Sequence, residues 1–226
     1  MLNELTKATD SEKSVATSSR GTLIVVSSPS GGGKGTLIDR VLKTVPGVSY
    51  SISYTTRAPR PGEQNGSEYF FVSTSEFEAM IGRSDLLEWA NVYGYLYGTS
   101  RALVENERAA GRDIILEIDV QGATSVRQLI DDAVTVFILP PSFELLRQRL
   151  VARGTDSKAD LERRLRGAPA EVEQYKDFQY VILNDDINRA SAQLASVIYA
   201  ERARRERQEA RLADTLADFA VQNRLR

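Results

Sequence analysis

The chain has 226 residues, a length that suits one α/β core with insertions rather than two large domains. It contains no cysteine and no histidine, which excludes disulfides, thiolate chemistry, His-ligated zinc and Ser-His-Asp triads. A net charge of −2 argues against a general nucleic-acid-binding protein, and the apolar runs are far too short to span a membrane.

Residues 1–19 are polar, with serine and threonine scattered among balanced charges. This composition predicts a disordered tail and lacks the apolar stretch of a secretory signal. Together with the absence of cysteine, it leads us to expect a cytoplasmic protein.

The first regular element is an apolar, β-branched run from Thr22 to Ser27, which predicts a buried parallel strand. A glycine cluster and a helical pattern over 35–44 follow it. Further buried strands are predicted over 113–118, 134–139 and 180–183, and helices over 122–130, 142–152 and 160–175. The pattern predicts an α/β fold in which helices flank a parallel sheet.

The loop between the first strand and the first helix reads Ser28-Pro29-Ser30-Gly31-Gly32-Gly33-Lys34-Gly35-Thr36. Its glycines allow successive backbone N–H groups to turn towards phosphate oxygens, and the following helix N-terminus adds positive potential. Lys34 supplies a mobile charge for the β- and γ-phosphates. We therefore predict a P-loop that binds ATP with all nine residues.

The match to the P-loop consensus is incomplete at both ends, because Ser28 replaces the first glycine and Gly35 replaces the usual hydroxyl residue. The next hydroxyl is that of Thr36. We expect Mg²⁺ to be held mainly by ATP phosphates and water, with Thr36 as a weak ligand. The alternative interpretation is a glycine-rich turn that merely caps a helix.

Between positions 54 and 100 the sequence is rich in tyrosine, glycine and short alternating segments, which predicts a small β-rich insertion with a turn near Gly94. At its start, Pro59 and Pro61 favour polyproline II, so Arg57 and Arg60 project to the same side. Two guanidinium groups on one face suit a phosphate dianion. A solvated basic loop is the alternative.

These segments resemble the guanylate kinase family. The similar blocks are the P-loop, Ser53 to Glu63, Glu88-Trp89-Ala90, Tyr97-Gly98-Thr99, Ile118 to Gly122, Arg153-Gly154-Thr155 and Asn184-Asp185-Asp186. They cover the chain from Thr22 to about Ile198 in the family's order. The resemblance implies transfer of the γ-phosphoryl group of ATP to GMP, with Mg²⁺ as the metal.

The resemblance also implies a role for individual residues. Those for GMP are Arg57, Arg60 and Tyr69 at the phosphate, Glu88, Ser53 and Thr99 at the guanine, and Tyr97 and Asp119 along the site. The physics of Glu88 is independent of the family, because a carboxylate accepts hydrogen bonds and the N1/N2 edge of guanine donates them. Without the neighbouring blocks, Glu88 reads as an ordinary strand carboxylate.

A charged stretch near Gly154 and Gly167 predicts a mobile lid. The resemblance implies that its arginines close over the triphosphate, and the predicted catalytic set is Lys34, Arg57, Arg149, Arg153 and Arg164. An arginine-rich solvated helix is the alternative for each lid arginine. Glu117 is a weaker candidate near the nucleotide. Asn184 to Asp186 either bind the nucleotide or cap the next helix.

The last segment predicts one continuous helix from about Asn188, ~50 Å long at ~1.5 Å per residue. Its distal part carries a stripe of Leu212, Leu216 and Phe219, which either docks on another subunit or folds back on the core. The predicted parts are a tail (1–19), a core (20–53, 101–146, 168–200), a GMP-binding subdomain (54–100), a lid (147–167) and a C-terminal extension (201–226).

Two rival functions remain open in the sequence. One is a nucleoside monophosphate kinase for another base, which the P-loop and lid allow but which Glu88 disfavours. The other is a non-catalytic guanylate-kinase-like interaction module, which would not need Lys34 or the lid arginines. The expected partners are ATP and GMP, with no nucleic acid and no membrane. Self-association through the last helix is one of the two alternatives for its apolar stripe.

Overall fold

The computed structural model describes residues 20–154 and 157–224, so the predicted tail over 1–19 lies outside the described residues. In chain order the elements are β1 (Leu23–Ser27), α1 (Lys34–Thr44), β2 (Val48–Tyr50), β3 (Tyr54–Thr55), β4 (Phe70–Phe71), α2 (Thr74–Gly82), β5 (Leu86–Val92), β6 (Tyr95–Ser100), α3 (Arg101–Ala109), β7 (Asp113–Glu117), α4 (Val120–Leu129), β8 (Val134–Leu139), α5 (Phe143–Arg153), α6 (Lys158–Glu173), a 3₁₀ turn (Gln174–Asp177), β9 (Tyr180–Leu183), α7 (Ile187–Arg202) and α8 (Arg205–Arg224).

The core is a five-stranded parallel sheet in the order β2-β7-β1-β8-β9. This confirms the predicted α/β class and the four predicted core strands. The edge strand β2 was not predicted, because its three residues are only half-buried and show no apolar run. All five strands point the same way, so their carboxyl ends share one edge of the sheet.

Helices bury both faces of the sheet, and the alternation along β1 shows why its sequence is apolar throughout. Ile24 and Val26 pack in one cluster with side chains of α1 and α7. Leu23 and Val25 pack in the other with side chains of α3 and α4. A parallel strand covered on both faces needs apolar residues at every position.

The insertion forms a second sheet in the order β4-β3-β6-β5, which is antiparallel except for the β3–β4 pair. Between β4 and β5 lies α2, an unpredicted helix whose start is fixed by a capping box of Ser73 and Glu76. The predicted turn is the two-residue hairpin Tyr93-Gly94 between β5 and β6. Both of its residues have positive φ, 54° and 92°.

The prediction of one continuous C-terminal helix is wrong, because the helix breaks at Ala203 and Arg204 and two helices result. Glu201 is 2% exposed at the end of α7, accepts a hydrogen bond from the Tyr180 hydroxyl at 2.6 Å and pairs with Arg204 at 2.9 Å. The sequence has neither glycine nor proline at this break. The hydrogen bond from Tyr180 to Glu201 joins β9 to α7, so the break accompanies a tertiary contact. Within the described ranges, no helix is long and apolar enough to cross a bilayer.

One ion pair ties the first strand to the turn that precedes β8. Arg108 on α3 is 1% exposed; its Nε donates to the carbonyl of Gly21 at 3.0 Å and its Nη2 to Asp132 at 2.5 Å. The Asp132 side chain, in contrast, is 52% exposed. Removal of Asp132 would leave the buried charge of Arg108 without its anionic partner, whereas the half-exposed carboxylate remains solvated by water.

We expect Asp132→Ala to lower the free energy of unfolding by about 2 kcal/mol, because a buried guanidinium then loses its anionic partner. The neighbouring exposed Asp131 provides the matched control, and Asp131→Ala should change stability by less than about 0.5 kcal/mol. Urea denaturation of both variants measures the difference. Equal effects of the two substitutions would contradict this account.

Candidate active site

A cleft of about 500 Å³ opens between the carboxyl edge of the core sheet and the insertion. It brings together most of the predicted site residues. Those that line it are Ser28, Ser30, Gly31, Lys34, Ser53, Arg57, Arg60, Tyr69, Glu88, Tyr97, Asp119 and Arg164, with Glu117 between them.

The loop after β1 has the backbone that its glycines predict. Gly31 and Gly33 have φ of 86° and 88°, in the left-handed region that favours glycine. Behind the loop, the buried side-chain amide of Asn184 donates to the carbonyl of Gly32 at 2.8 Å. A Cβ on Gly33 would lie 2.5 Å from that amide nitrogen. Asn184 thus supports the loop, and Asp186 caps α7.

Lys34 begins α1, and its Nζ lies 3.7 Å from Oε1 of Glu117 at the end of β7. The other carboxylate oxygen of Glu117 accepts a hydrogen bond from the Tyr50 hydroxyl at 3.2 Å. Thr36 is exposed in the first turn of α1. Across residues 20–154 and 157–224, no group of three or more Asp, Glu, His or Cys side chains gathers in a metal-binding arrangement.

The two arginines of the predicted pair, Arg57 and Arg60, both line the cleft. Glu63, which was not predicted to be functional, accepts hydrogen bonds from both. Nη2 of Arg57 donates to both carboxylate oxygens of Glu63 at 2.9 Å, and the Arg60 backbone N–H donates to Glu63 at 2.8 Å. The Arg57 guanidinium also lies 5.4 Å from the centre of the Tyr69 ring. Burial opposes ionisation of Glu63, but these hydrogen bonds outweigh it and lower the pKa of its carboxyl.

Glu88 on β5 is 5% exposed, and the Thr99 hydroxyl on the paired strand β6 donates to it at 2.6 Å. Burial raises the pKa of Glu88 to about 7; the hydrogen bond from Thr99 opposes this rise and the charge of Asp119 adds to it. Gly122 leaves room for the carboxylate, since a Cβ there would lie 2.5 Å from Oε2 of Glu88. Asp119 itself caps α4 by accepting from the Gly122 N–H at 2.9 Å.

The predicted catalytic arginines occupy different positions. Nη1 of Arg164 donates to the Ser30 hydroxyl at 2.7 Å, within the cleft. Arg149 instead bonds to the carbonyls of Gly32 and Asn184 at 3.2 and 3.1 Å, alongside the loop. The side chain of Arg153 lies outside the described residues, as does Thr155 of the block that carried the resemblance.

Besides Glu63, sequence reasoning missed Glu171 and Tyr93, which both line the cleft. Glu171 accepts from the backbone N–H of Ser30 at 2.9 Å and from the Tyr93 hydroxyl at 3.0 Å. Glu63 ends one of the blocks that carry the resemblance, so the sequence did contain a signal that it could be functional. Glu171 gave none, because its partners are distant in sequence.

A phosphate-binding loop that faces an arginine pair and a buried carboxylate, on a parallel α/β sheet, defines a P-loop kinase. The family model described as guanylate kinase matches residues 20–201. The chain belongs to the guanylate kinase family.

Relatives and a solved structure agree with this assignment. The chain is 50% identical over 199 residues to a guanylate kinase of Symbiobacterium thermophilum, covering 88% of this chain and 94% of that protein. It is 54% identical over 180 residues to one of Dechloromonas aromatica, covering 80% and 89%. The crystal structure of guanylate kinase from Anaplasma phagocytophilum superposes with a TM-score of 0.71 at 32% identity, covering 86% of this chain and 96% of that one.

The pKa of Glu88 predicts a pH dependence of GMP binding. With a pKa of about 7, the ionised fraction of Glu88 falls roughly tenfold per pH unit at lower pH. In the role expected for it, Glu88 accepts from both N1–H and the N2 amino group of guanine, and it must then be ionised because the protonated acid carries a donor on one oxygen. We expect the affinity for GMP to rise between pH 6 and pH 8 and then to level off, as measured by calorimetric titration.

Glu88→Gln is the control, because it keeps the shape of the side chain but cannot titrate. Its remaining pH dependence should be that of the GMP phosphate, whose second pKa is about 6. Superimposable pH profiles for the wild type and this variant would rule out Glu88 as the titrating group.

Proposed function

We propose that this chain transfers the γ-phosphoryl group of ATP to GMP, giving ADP and GDP. The observation that carries the proposal is a single cleft in which Lys34 and its loop face an arginine pair and a buried carboxylate. The loop suits a triphosphate, the arginines suit a monophosphate and Glu88 suits the donor edge of guanine. The family of the chain supports the same reaction.

The GMP phosphate is proposed to bind Arg57, Arg60 and Tyr69. The support is that Glu63 already orients the Arg57 guanidinium over the Tyr69 ring, so little side-chain freedom is lost when a phosphate binds. Arg57 is 8% exposed, and in such a site its attraction to a dianion is weakly screened.

The guanine is proposed to lie against Glu88, which accepts from N1–H and the N2 amino group. Ser53 and Thr99 then hydrogen-bond near O6, and Tyr97 and Asp119 complete the wall. The support is the burial of Glu88, because a desolvated carboxylate discriminates strongly between a base that donates and one that accepts.

ATP is proposed to bind through the loop from Ser28 to Thr36, with Lys34 at the β- and γ-phosphates. Mg²⁺ is proposed to be held mainly by the phosphates and water, with Thr36 as a weak ligand. The donor set fits this arrangement, since Glu117 places carboxylate oxygens beside Gly35 at the loop. When bound, the metal neutralises charge on the phosphates.

In the transfer, an oxygen of the GMP phosphate forms a bond to the γ-phosphorus, and the bond from that phosphorus to the bridging oxygen of ADP breaks. Such a reaction needs alignment and positive charge rather than a covalent residue. Lys34, Arg57, Arg149, Arg153 and Arg164 are proposed to supply the charge. Support comes from Arg164 at Ser30, from Arg149 at Gly32, and from Arg153, one helical turn beyond Arg149 on α5.

We further propose that the insertion (54–100) and the lid (147–167) close over the core when both substrates bind, which excludes water from the transfer. We also propose a cytoplasmic location for the enzyme, which the absence of cysteine supports because a reducing compartment does not use disulfides.

The test of the reaction is a coupled assay of ADP formation from Mg-ATP with GMP, AMP, CMP or UMP as the acceptor. We expect turnover with GMP and little with the others. Glu88→Gln should lower kcat/KM for GMP about 100-fold, because two charge-assisted hydrogen bonds are lost. Glu78, an exposed glutamate on α2, provides the control, and Glu78→Gln should leave kcat/KM unchanged.

The assay also separates the rival functions. Turnover with another nucleotide would keep the fold and overturn the assignment of the base. Folded protein that turns over none of the four would instead support a non-catalytic interaction module, although such a module has no need of Lys34 or Arg164.

The C-terminal helix is proposed to join two copies of the chain. Its residues from Glu209 to Val221 are exposed, so this segment does not fold back on the core as one alternative predicted. The exposed fractions of Leu212, Leu216 and Phe219 are 40%, 58% and 66%. An apolar stripe of this kind on a projecting helix supports pairing with the same stripe of a second copy.

The solution mass by light scattering tests the pairing. The full chain should have a multiple of the 25.0 kDa chain mass, and deletion of residues 210–226 should yield a monomer. Leu216→Asp with Phe219→Asp should act like the deletion, because charge on the stripe opposes its burial. A full chain that is monomeric at high concentration would contradict the proposal.

A further inference from the structure

Glu171 reaches two parts of the protein that are remote from its own helix. It lies on α6 beyond Pro169, and its Oε2 accepts from the Ser30 backbone N–H at 2.9 Å, across 141 positions of sequence. Its Oε1 accepts from the Tyr93 hydroxyl at 3.0 Å, across 78 positions. One carboxylate therefore connects the phosphate-binding loop with the tip of the insertion.

The contact with Ser30 places an anion on the loop that is built to receive anions. The backbone N–H groups of a P-loop point at phosphate oxygens, so a carboxylate and a phosphate compete for the same amide. The charge of Glu171 also repels a triphosphate that enters the loop. Arg164, on the same helix as Glu171, donates to the Ser30 hydroxyl at 2.7 Å. The backbone and the side chain of Ser30 therefore both contact α6.

Tyr93, which makes this contact, has a strained backbone conformation. It is the first residue of the hairpin turn Tyr93-Gly94, with φ of 54°, where asparagine or glycine is preferred. A non-glycine residue held there persists when its surroundings over-determine it. The surroundings here are Glu171 and the guanidinium groups of Arg163 and Arg164, which lie 5.5 and 5.3 Å from the ring centre.

The Tyr93 hydroxyl remains a donor at neutral pH. Burial and the adjacent carboxylate of Glu171 raise the pKa of Tyr93 to about 12. The hydroxyl is therefore protonated at physiological pH and can donate to Glu171.

We propose that Glu171 is a positioning residue that couples the GMP site to the ATP site. Its carboxylate holds the Ser30 amide, and movement of the insertion over GMP shifts Tyr93 and draws the carboxylate away from the loop. GMP binding thereby raises the affinity for ATP, and ATP raises the affinity for GMP by the same factor. The inference rests on the proposed function, since it takes the loop as the ATP site and the insertion as the GMP site.

Three variants of the full chain isolate the coupling. Glu171→Gln removes the charge and keeps the size of the side chain. Tyr93→Phe removes the hydroxyl and keeps the ring beneath the arginines. Glu173→Gln is the matched control, because Glu173 lies on the same helix, is 68% exposed and pairs with Lys176 instead.

The measurement is the dissociation constant of the β,γ-imido analogue of ATP with Mg²⁺, determined by calorimetry with and without GMP. In the wild type, GMP should tighten binding of the analogue about fivefold or more. Glu171→Gln should bind the analogue about fivefold tighter without GMP and gain little when GMP is added. Tyr93→Phe should bind like the wild type without GMP and lose the gain, and Glu173→Gln should match the wild type throughout.

An affinity that is unchanged or weakened in Glu171→Gln, with intact coupling in Tyr93→Phe, would overturn the inference. Should Glu171→Gln fail to fold by circular dichroism, the loss or retention of coupling in Tyr93→Phe decides alone. A wild type that binds neither nucleotide would overturn the proposed function itself, which is a distinct result from binding without coupling.

Discussion

The parallel pairing of β1 with β7 and β8 is the constraint on which the cleft depends. Because the strands run in one direction, the loops that follow them meet at one edge of the sheet. The phosphate-binding loop after β1, Asp119 after β7 and Asn184 after β9 are neighbours for this reason alone. The Asn184 side chain donates to the loop and supports it. Asp119 accepts from the N–H of Gly122, and Gly122 leaves space for the carboxylate of Glu88.

Carboxylates of the protein satisfy the groups that are proposed to receive phosphates. Glu63 binds Arg57, Glu117 lies near Lys34 and Glu171 binds the amide of Ser30. Each partner orients a cation or a donor without neutralising it permanently, because phosphate oxygens can replace a carboxylate at the same hydrogen bonds. A chain of net charge −2 can in this way assemble a cleft for two polyanions.

Local patterns predicted the features that depend on neighbouring residues. The sequence alone showed the apolar run of β1, the glycine loop and the arginine pair beside Pro59. The break at Ala203 was not, because it accompanies burial of Glu201 against Tyr180. Neither were the contacts of Glu171, which join positions far apart, nor the burial that raises the pKa of Glu88. Such properties belong to the tertiary structure and have no local signature.

The hairpin turn at Tyr93 sets the local preference of the backbone against a contact with α6. An Asn-Gly turn would fit the twist of β5 and β6 better, and relief of the left-handed strain would add about 1 kcal/mol to stability. The same replacement would remove the hydroxyl and the ring that meet α6. Asparagine at this position would therefore relax the backbone of the turn and, at the same time, detach the insertion from α6.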